Sequence, residues 1–253
     1  FNTSHLIVSS RTLDTGGAVT TLLDVSEIRR LENVRRDFVA NVSHELKTPL
    51  TSIRGYAEML MEDGTPQDIR DGFIKSISKN ALRLQNLVDD LLDLSRLESG
   101  GWVARPESVS VEEVANEASS WCMDAANRRD VSIEITPMGT VYADRQGLLQ
   151  SLRNLLENAV RHSEQGGIIK VTARRVKGDF VHIEVSDEGE GITAKALPRI
   201  FERFYRADSS RARDIGGTGL GLAILRHLIE GMGGQVEAES ELGEGATIRL
   251  TLP

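Results

Sequence analysis

Hydrophobic residues recur every three or four positions along two long stretches near the start of the chain, a spacing typical of amphipathic helices. The first stretch follows Ser26, and its apolar positions are Val39, Val42, Leu46, Leu50, Ile53, Ala57 and Leu60. The second has apolar positions at Phe73, Ile77, Ala81, Leu84, Val88, Leu91, Leu94 and Leu97. A turn signal at residues 63–66 separates them, so the pattern predicts an antiparallel helical hairpin. Because one hairpin buries only one seam, two copies are expected to form a dimeric four-helix bundle.

Shorter apolar runs precede the helices. The runs at residues 5–8 and 18–23 flank Asp14-Thr15-Gly16-Gly17, which predicts a β-hairpin. A lone hairpin is marginally stable in water, so these strands are expected to be the remnant of a larger sheet.

The pattern changes after Ser99-Gly100-Gly101, where residues 100–108 are interpreted as a linker. Helices and strands then alternate, and by element order we predict an α+β sandwich. The expected helices cover about 111–128, 145–163, 193–200 and 218–232, and the expected strands cover 131–136, the surroundings of Val141, 168–175, 180–187, 235–240 and 246–252, with an irregular polar segment at 206–217.

Composition narrows the class of protein. With 253 residues, 40% of them hydrophobic and 27% charged, the chain is typical of a globular protein of one or two domains. The net charge of −8 argues against a nucleic-acid partner. No apolar run approaches the roughly 18 residues of a membrane span, so no membrane contact is expected within this segment. Because the chain begins with Phe1, we expect it to be a fragment whose membrane-spanning part lies upstream. We expect the segment itself to be cytoplasmic. The single cysteine, Cys122, lies in an apolar helical pattern and is expected to be buried.

His44 lies off the apolar stripe of the first helix. It is two residues from the nearest stripe positions on either side, or roughly 200° of helix rotation, so its imidazole is expected to face water. Thr48 shares its face and Glu45 is its neighbour. Pro49 removes the backbone donor to the Glu45 carbonyl, so the helix is expected to bend or loosen there. For a histidine in isolation, a solvated surface position is the commoner explanation.

Four polar residues lie opposite the apolar stripe of the helix predicted at 145–163. They are Asn154, Asn158, Arg161 and His162. Two neutral amides four residues apart can supply a pair of oxygen ligands, which suits Mg²⁺. Taken alone, a polar helix surface explains the same residues.

Asp187 continues the inward parity of Val181, Ile183 and Val185 along one strand. A carboxylate on a core-facing position needs a hydrogen-bond donor. An adenine amino group would be one, and the backbone of the following run, Asp187-Glu188-Gly189-Glu190-Gly191, would be another.

A glycine-rich run, Gly216-Gly217-Thr218-Gly219-Leu220-Gly221, opens the helix predicted at 218–232. Glycines allow the backbone to approach phosphates closely, and a helix N-terminus offers unpaired N–H groups. The run follows Phe201 to Arg206 and a polar, basic stretch. Gly243-Glu244-Gly245 lies between two strands and is interpreted first as a hairpin turn. The chain has no GxxxxGK[ST], HRD or DFG run, which disfavours P-loop NTPases and eukaryotic-type protein kinases.

The string FVANVSHELKTPL at residues 38–50 resembles the phosphoacceptor box of the sensor histidine kinases of two-component systems. The later motifs resemble, in order, the nucleotide boxes of the GHKL ATP-binding superfamily. The resemblance implies a multidomain fold: a HisKA helical hairpin in a dimeric four-helix bundle, then a GHKL, or Bergerat, sandwich. TTLLDVSEIRRLE resembles the exit of a PAS sensor domain. The implied domains are PAS-like strands at 1–25, a dimerisation and phosphotransfer hairpin at 26–99, a linker at 100–108 and a catalytic domain at 109–253.

By resemblance, ATP and Mg²⁺ bind the second domain. Asn154 and Asn158 would hold the metal, and Arg161 and Arg206 would reach the phosphates, with Arg211 and Arg213 as weaker candidates. The other implied nucleotide contacts are His162, Asp187, Gly189, Gly191, Gly217, Thr218, Gly219, Leu220 and Gly221.

The implied activity is ATP-dependent autophosphorylation of His44, aided by Glu45, within a homodimer. The phosphoryl group would then pass to an aspartate of a response-regulator receiver domain, and Thr48 would place a water for dephosphorylation of that partner. Two alternatives stay open. A GHKL ATPase of the chaperone, topoisomerase or mismatch-repair type would hydrolyse ATP with water, and a non-catalytic scaffold would only bind the nucleotide.

Overall fold

The computed structural model describes residues 5–14, 16–62, 64–136, 139–176, 178–206 and 217–253. The chain divides into two compact units, one ending at Ala81 and the other beginning at Leu82. Within the described ranges, no helix combines the length and the apolar character that crossing a membrane requires.

The first unit opens with the predicted β-hairpin. Strands β1 (Leu6–Thr12) and β2 (Ala18–Asp24) pair antiparallel, and every residue in them is exposed. The Ser26 hydroxyl accepts a hydrogen bond from the His5 N–H at 2.7 Å, and the Asp24 carboxylate accepts one from the Ser26 N–H at 2.9 Å. These two bonds join the hairpin to the start of the first helix.

Two long helices follow, as the apolar spacing predicted. Helix α1 spans Ser26–Leu60 and helix α2 spans Gln67–Glu98. Helix α1 is continuous through Pro49, so the missing N–H does not end it. In this part of the helix, the hydroxyls of Thr48 and Ser52 donate to the carbonyls four residues earlier, at 3.1 and 3.3 Å.

The buried stripe differs from the prediction at several positions. Val39, Leu50 and Val88 are 57%, 59% and 44% exposed, whereas Leu87 is only 2% exposed. Pro49, beside Leu50, is buried as well. At these points two apolar residues are adjacent, and spacing of three or four residues allows either one to face inward. In a single chain, the residues buried at these points are therefore Pro49 and Leu87 rather than their predicted neighbours.

The second unit is an α/β sandwich around a five-stranded sheet of order β4-β6-β7-β9-β8. Only the β4–β6 pair of this sheet is parallel among the described strands, and a separate antiparallel pair joins β3 to β5. The elements are β3 (Glu107–Ser110), α3 (Val111–Arg128), β4 (Ser132–Ile135), β5 (Thr140–Ala143), α4 (Arg145–His162), β6 (Ile168–Arg175), β7 (Val181–Asp187), a 3₁₀ turn (Leu197–Arg199), α5 (Gly221–Gly231), β8 (Gln235–Ser240) and β9 (Ala246–Leu252).

The core of the second unit lies between the sheet and helices α3, α4 and α5. Alternate residues of β7 are buried, and the helices bury one stripe each; the largest fully buried side chains of this core include Leu148, Leu152, Leu156, Ile169, Ile183, Ile224, Leu228 and Leu250. Cys122 is buried as predicted, and burial raises the pKa of its thiol to about 11. Side-chain caps start two of the helices, with Ser110 before α3 and Asp144 before α4.

Three elements differ from the sequence prediction. Strand β3 was not predicted, and it pairs with β5. The helix expected at 193–200 is a three-residue 3₁₀ turn, because Pro198 would lack its hydrogen bond inside a longer helix. Helix α5 begins at Gly221 rather than at 218, since Gly219 has a φ of 72°, which no helical residue adopts.

The predicted linker at 100–108, which lies within the second unit, is partly packed against helices α4 and α5. A Cβ atom on Gly231 would lie 2.7 Å from Trp102 Cζ3, and one on Gly147 would lie 3.2 Å from Trp102 Cζ2. The Trp102 ring therefore fits against two glycines, one on α5 and one on α4. The Arg105 N–H also donates to the Asp144 carboxylate at 2.9 Å, and β3 already begins at residue 107.

Candidate functional site

Helix α1 presents the predicted phosphoacceptor group to solvent. His44 and Thr48 are exposed and Glu45 is half-buried. Thr48 shares the helix face of His44 because it lies four residues later, and its hydroxyl donates to the His44 carbonyl at 3.1 Å. The exposure of His44 confirms the position inferred from the apolar spacing.

Helix α4 supplies the two predicted metal ligands. Its buried leucines fix the helix against the sheet, which leaves Asn154 and Asn158 half-buried on another side. The Asn154 Nδ2 donates to the Gly221 carbonyl at 3.0 Å, so its side-chain oxygen is the remaining acceptor. The Asn158 Oδ1 accepts a hydrogen bond from Arg161 Nη1 at 2.9 Å.

Arg161 is a half-buried cation beside the glycine-rich turn. Burial lowers the pKa of its guanidinium, Glu157 opposes this effect, and the positive charge of Arg206 adds to it. A Cβ atom on Gly217 would lie 2.8 Å from Arg161 Nη1, so only glycine permits this approach. Two guanidinium groups that repel each other in a partly desolvated place favour the binding of an anion.

Asp187 lies at the end of β7 with the parity of the buried residues, as predicted. Its carboxylate accepts hydrogen bonds from the backbone of Gly189, at 3.0 Å, and of Ala246. Burial outweighs these bonds and raises the pKa of the Asp187 carboxyl. The backbone donors expected from the sequence are therefore present, but they do not fully compensate for the desolvation of the Asp187 carboxylate. A further donor, such as an adenine amino group, would be favoured there.

The glycines around Asp187 allow backbone segments to cross. A Cβ atom on Gly189 would lie 2.5 Å from the His162 carbonyl oxygen, and one on Gly191 would collide with the Glu241 carbonyl. His162 itself is exposed, with its Nδ1 atom 3.1 Å from Glu190 Oε1. It lies beside the run that contains Asp187.

Gly245 also contacts the segment that contains Asp187. From the sequence, its surroundings are interpreted first as a hairpin turn. It lies in the predicted turn between β8 and β9, with a φ of 84°. A side chain there would collide with the Asp187 carbonyl. The turn therefore also supports the position of Asp187.

The glycine-rich turn is bonded to the aromatic run that precedes it in the chain. The Phe204 N–H donates to the Gly219 carbonyl at 2.8 Å, and Leu220 is fully buried. The Thr218 hydroxyl accepts a hydrogen bond from the Leu220 N–H at 3.2 Å. Helix α5 starts at Gly221, after a leucine that has no polar side chain to cap it, so its first N–H groups suit an anion.

Gly216, Arg211 and Arg213 lie outside the described residues. Arg206 is described and half-buried.

The sequence interpretation missed a contact between α2 and the glycine-rich turn. The Thr218 hydroxyl donates to the Asp90 carboxylate at 2.6 Å. A signal was present in the sequence, because Asp90 lies three residues after Leu87 and four before Leu94, on the apolar stripe of α2.

The donor set fits a hard cation held jointly with a ligand. Within the described ranges there is no group of three or more His, Cys, Asp or Glu residues able to hold a metal ion. A cation here would rely on the two asparagine oxygens and on oxygens of a bound molecule. Such a set suits Mg²⁺, which usually keeps phosphate and water ligands.

Two protein-family models match parts of the chain. Residues 34–100 match the family described as the His Kinase A (phospho-acceptor) domain. Residues 143–253 match the family described as histidine kinase-, DNA gyrase B-, and HSP90-like ATPase.

Curated relatives match over most of this chain. It is 37% identical over 238 residues to the sensor-like histidine kinase SenX3 of Mycobacterium tuberculosis, which covers 93% of this chain and 58% of that protein. It is 39% identical over 233 residues to the phosphate regulon sensor protein PhoR of Pseudomonas aeruginosa, covering 88% of this chain and 51% of that protein. The chain thus spans a little over half the length of these relatives.

Among solved structures, full-length ShkA in complex with AMPPNP is similar, with a TM-score of 0.63 and 30% identity over 86% of this chain and 45% of ShkA. The exposed histidine helix matches a phospho-acceptor domain and the sandwich matches an ATPase domain, so the chain belongs to the family of sensor histidine kinases.

Proposed function

We propose that the chain is a protein histidine kinase that phosphorylates itself on His44 with ATP and passes the phosphoryl group to a response regulator. The observation that carries this proposal is the exposure of His44 within the segment that matches a phospho-acceptor domain. An imidazole that receives a phosphoryl group must be reachable from solvent, and His44 is.

ATP is the proposed substrate of the second unit. Asp187, Gly189 and Gly191 would receive the adenine, since Asp187 is a desolvated acceptor. Arg161 and Arg206 would contact the phosphates, since both are cations near the turn. His162 would lie beside the nucleotide, and the turn formed by Gly217, Thr218, Gly219, Leu220 and Gly221 would place its backbone against the phosphates.

Mg²⁺ would be held by the side-chain oxygens of Asn154 and Asn158, where it supplies positive charge to the phosphate oxygens. Asn154 is already oriented for this by its bond to Gly221. Asn158 would exchange its bond with Arg161 for the metal, and the freed Arg161 donor would be available to a phosphate oxygen.

The reaction is an in-line phosphoryl transfer. An unprotonated ring nitrogen of His44 attacks the terminal phosphorus of ATP, the bond from that phosphorus to the bridging oxygen breaks, and ADP leaves. Glu45 accepts the proton from the other ring nitrogen, which leaves a phosphohistidine whose imidazole ring is uncharged and whose phosphoryl group keeps its negative charge. The chain contributes chiefly positioning and charge neutralisation.

The proposed partner is a receiver domain whose aspartate takes the phosphoryl group from His44. In a separate reaction, Thr48 would position a water molecule that hydrolyses the phosphoaspartate of the receiver domain. A homodimer is supported by Val39 and Leu50 on α1, which are 57% and 59% exposed in a single chain and would be covered by a second copy.

The proposed domains are PAS-like strands at 1–25, the phosphotransfer hairpin at 26–99, a connection at 100–108 and the catalytic domain at 109–253. In this proposal the connection is held against the catalytic domain near both of its ends, by Trp102 and by strand β3.

Transfer of label from ATP tests the function. The chain incubated with magnesium and γ-labelled ATP should become labelled in an acid-labile, base-stable form, and His44→Gln should lose the label while still binding AMPPNP. Labelling that persists in His44→Gln, or ATP hydrolysis without any labelled protein, would refute the proposal.

A further inference from the structure

One face of the C-terminal part of α2 contacts three parts of the proposed nucleotide site. The pairs are Asp90 with Thr218 at 2.6 Å, Asp93 with Gln150 at 2.7 Å, and Glu98 with Arg203 at 2.5 Å. Their partners belong to the glycine-rich turn, to helix α4 and to the aromatic run, respectively. All six residues lie in the second unit.

Asp90 is the acidic residue of this set that is most clearly desolvated. It lies on the same stripe as Leu87 and Leu94, which are 2% and 1% exposed. Burial raises the pKa of its carboxyl, and the hydrogen bond from Thr218 acts against that rise. A carboxylate in such a place needs a strong donor, and the Thr218 hydroxyl supplies it.

The Thr218 hydroxyl has two partners in the structure. It donates to Asp90 at 2.6 Å and accepts from the Leu220 N–H at 3.2 Å. The carboxylate of Asp90 is thereby bonded into the turn that precedes α5. Anions are stabilised near a helix N-terminus. The same N-terminus of α5 that suits a phosphate therefore also stabilises the negative charge of Asp90.

We propose that Asp90 competes with the phosphates of the nucleotide for the glycine-rich turn, so that binding of the nucleotide breaks the Asp90–Thr218 contact. This inference rests on the proposed function, because it assumes that the turn receives ATP. It adds a partner within the chain that holds the turn against α2 when no nucleotide is bound.

The competition has two consequences. First, a phosphate can bind the turn only in the fraction of molecules in which the Asp90–Thr218 contact is open. The apparent affinity of the chain for the nucleotide equals the intrinsic affinity multiplied by that fraction. Second, binding is reciprocal, so a bound nucleotide loosens the turn from α2 by the same factor. Binding of the nucleotide would thus release the glycine-rich turn from the C-terminal part of α2.

Calorimetric titration with AMPPNP and magnesium tests the competition. Asp90→Ala should bind AMPPNP about three- to tenfold more tightly than the unchanged chain, as expected for losing part of a charge-assisted hydrogen bond. Asp89→Ala is the matched control, because Asp89 is adjacent, equally charged and exposed. It should change the affinity by less than about twofold, the effect of removing one exposed charge.

A double-mutant cycle assigns the effect to the contact. In a Thr218→Ala background, which itself weakens binding, adding Asp90→Ala should give no further tightening. Asp90→Asn serves as a second variant if Asp90→Ala does not fold, and it should also bind AMPPNP more tightly because the competing charge is gone. Equal or weaker binding by the Asp90 variants, or a gain that persists without Thr218, would overturn the inference.

Hydrogen exchange without nucleotide separates this inference from the proposed function. Amides of residues 217–224 should exchange faster in Asp90→Ala than in Asp89→Ala. If the unchanged chain fails to bind AMPPNP, the proposed function fails and the competition fails with it, whatever the exchange shows. If it binds AMPPNP but exchange and affinity are the same in both variants, only the competition is wrong.

Discussion

Arg161 Nη1 donates to Asn158 Oδ1 over 2.9 Å, so a proposed phosphate ligand and a proposed metal ligand are bonded to each other. The amide oxygen stabilises a guanidinium whose pKa burial lowers. These two polar groups of the proposed nucleotide site are therefore bonded to each other in the absence of a ligand.

This bond predicts that the two proposed metal ligands differ in their effect on stability. Asn158→Ala should lower the free energy of unfolding by about 1–2 kcal/mol, because it leaves a half-buried charged donor without this acceptor. Asn154→Ala should have a smaller effect, of about 1 kcal/mol, since its amide bonds a neutral carbonyl. Urea unfolding of the two variants measures the difference, and both should lose magnesium-dependent AMPPNP binding. An equal loss of stability in both would contradict the role of Arg161.

The raised pKa of Asp187 predicts that removing its charge stabilises the fold and weakens nucleotide binding. In the folded chain the carboxyl keeps its proton to a higher pH than in the unfolded chain. Its ionisation therefore removes stability as the pH rises from the ordinary Asp range through the raised pKa. Asp187→Asn cannot ionise and keeps an oxygen for the Gly189 N–H, so it should gain stability relative to the unchanged chain as the pH rises.

The same variant should bind AMPPNP at least about tenfold more weakly, because an amide is a poorer acceptor for an adenine amino group than a carboxylate. Unfolding curves between about pH 4 and 7 and a titration measure the two effects, with linkage setting the slope. Asp124→Asn, at an exposed position on α3, is the control. A stability difference that shrinks as the pH rises would contradict the burial of the Asp187 charge.

The two tryptophans of the chain offer a matched test of the packed connection. Trp102 is half-buried between glycines, whereas Trp121 is 66% exposed and lies 5.4 Å from the Arg153 guanidinium carbon. Trp102→Ala should lower the free energy of unfolding by about 1–3 kcal/mol, less than for a fully buried tryptophan. Trp121→Ala should lower it by less than about 1 kcal/mol. Chemical unfolding that ranks the two variants in the opposite order would show that Trp102 is not an anchor.

Thr48 is expected to act on the partner rather than on autophosphorylation. Thr48→Ala should leave labelling of His44 within about twofold, because its hydroxyl bonds a backbone carbonyl and not the ring. It should slow dephosphorylation of the receiver domain by about tenfold or more, the usual size of a lost water-positioning group. Ser52→Ala is the control, since the Ser52 hydroxyl makes the same kind of bond one turn later. Loss of label from the receiver domain at an unchanged rate in Thr48→Ala would defeat this role.

Local spacing determined most of the elements. Four elements have the predicted bounds: helix α3 and strands β6, β8 and β9. Their bounds could be predicted because hydrophobic and polar residues alternate in the sequence with the period of each element. The exposure of His44 followed from the same periodicity, and Asp187 followed from the parity of its strand. These features depend on residues that are close neighbours in the chain.

Periodicity was less decisive where two apolar residues are adjacent. Leu87 and Val88 satisfy the same spacing, and only packing placed Leu87 inside. The glycine-rich run was predicted to begin a helix at 218, but the positive φ of Gly219 delays α5 to Gly221.

By itself, the sequence determined most of the helices and strands, the solvent-facing His44 and the motifs of the proposed nucleotide site. Only the tertiary structure decided that Trp102 packs against two helices and that Asp90 bonds Thr218, 128 residues later in the chain. The physical reason is distance along the chain. Spacing reports the face on which a residue lies, whereas the partner it meets there depends on how the elements pack against one another.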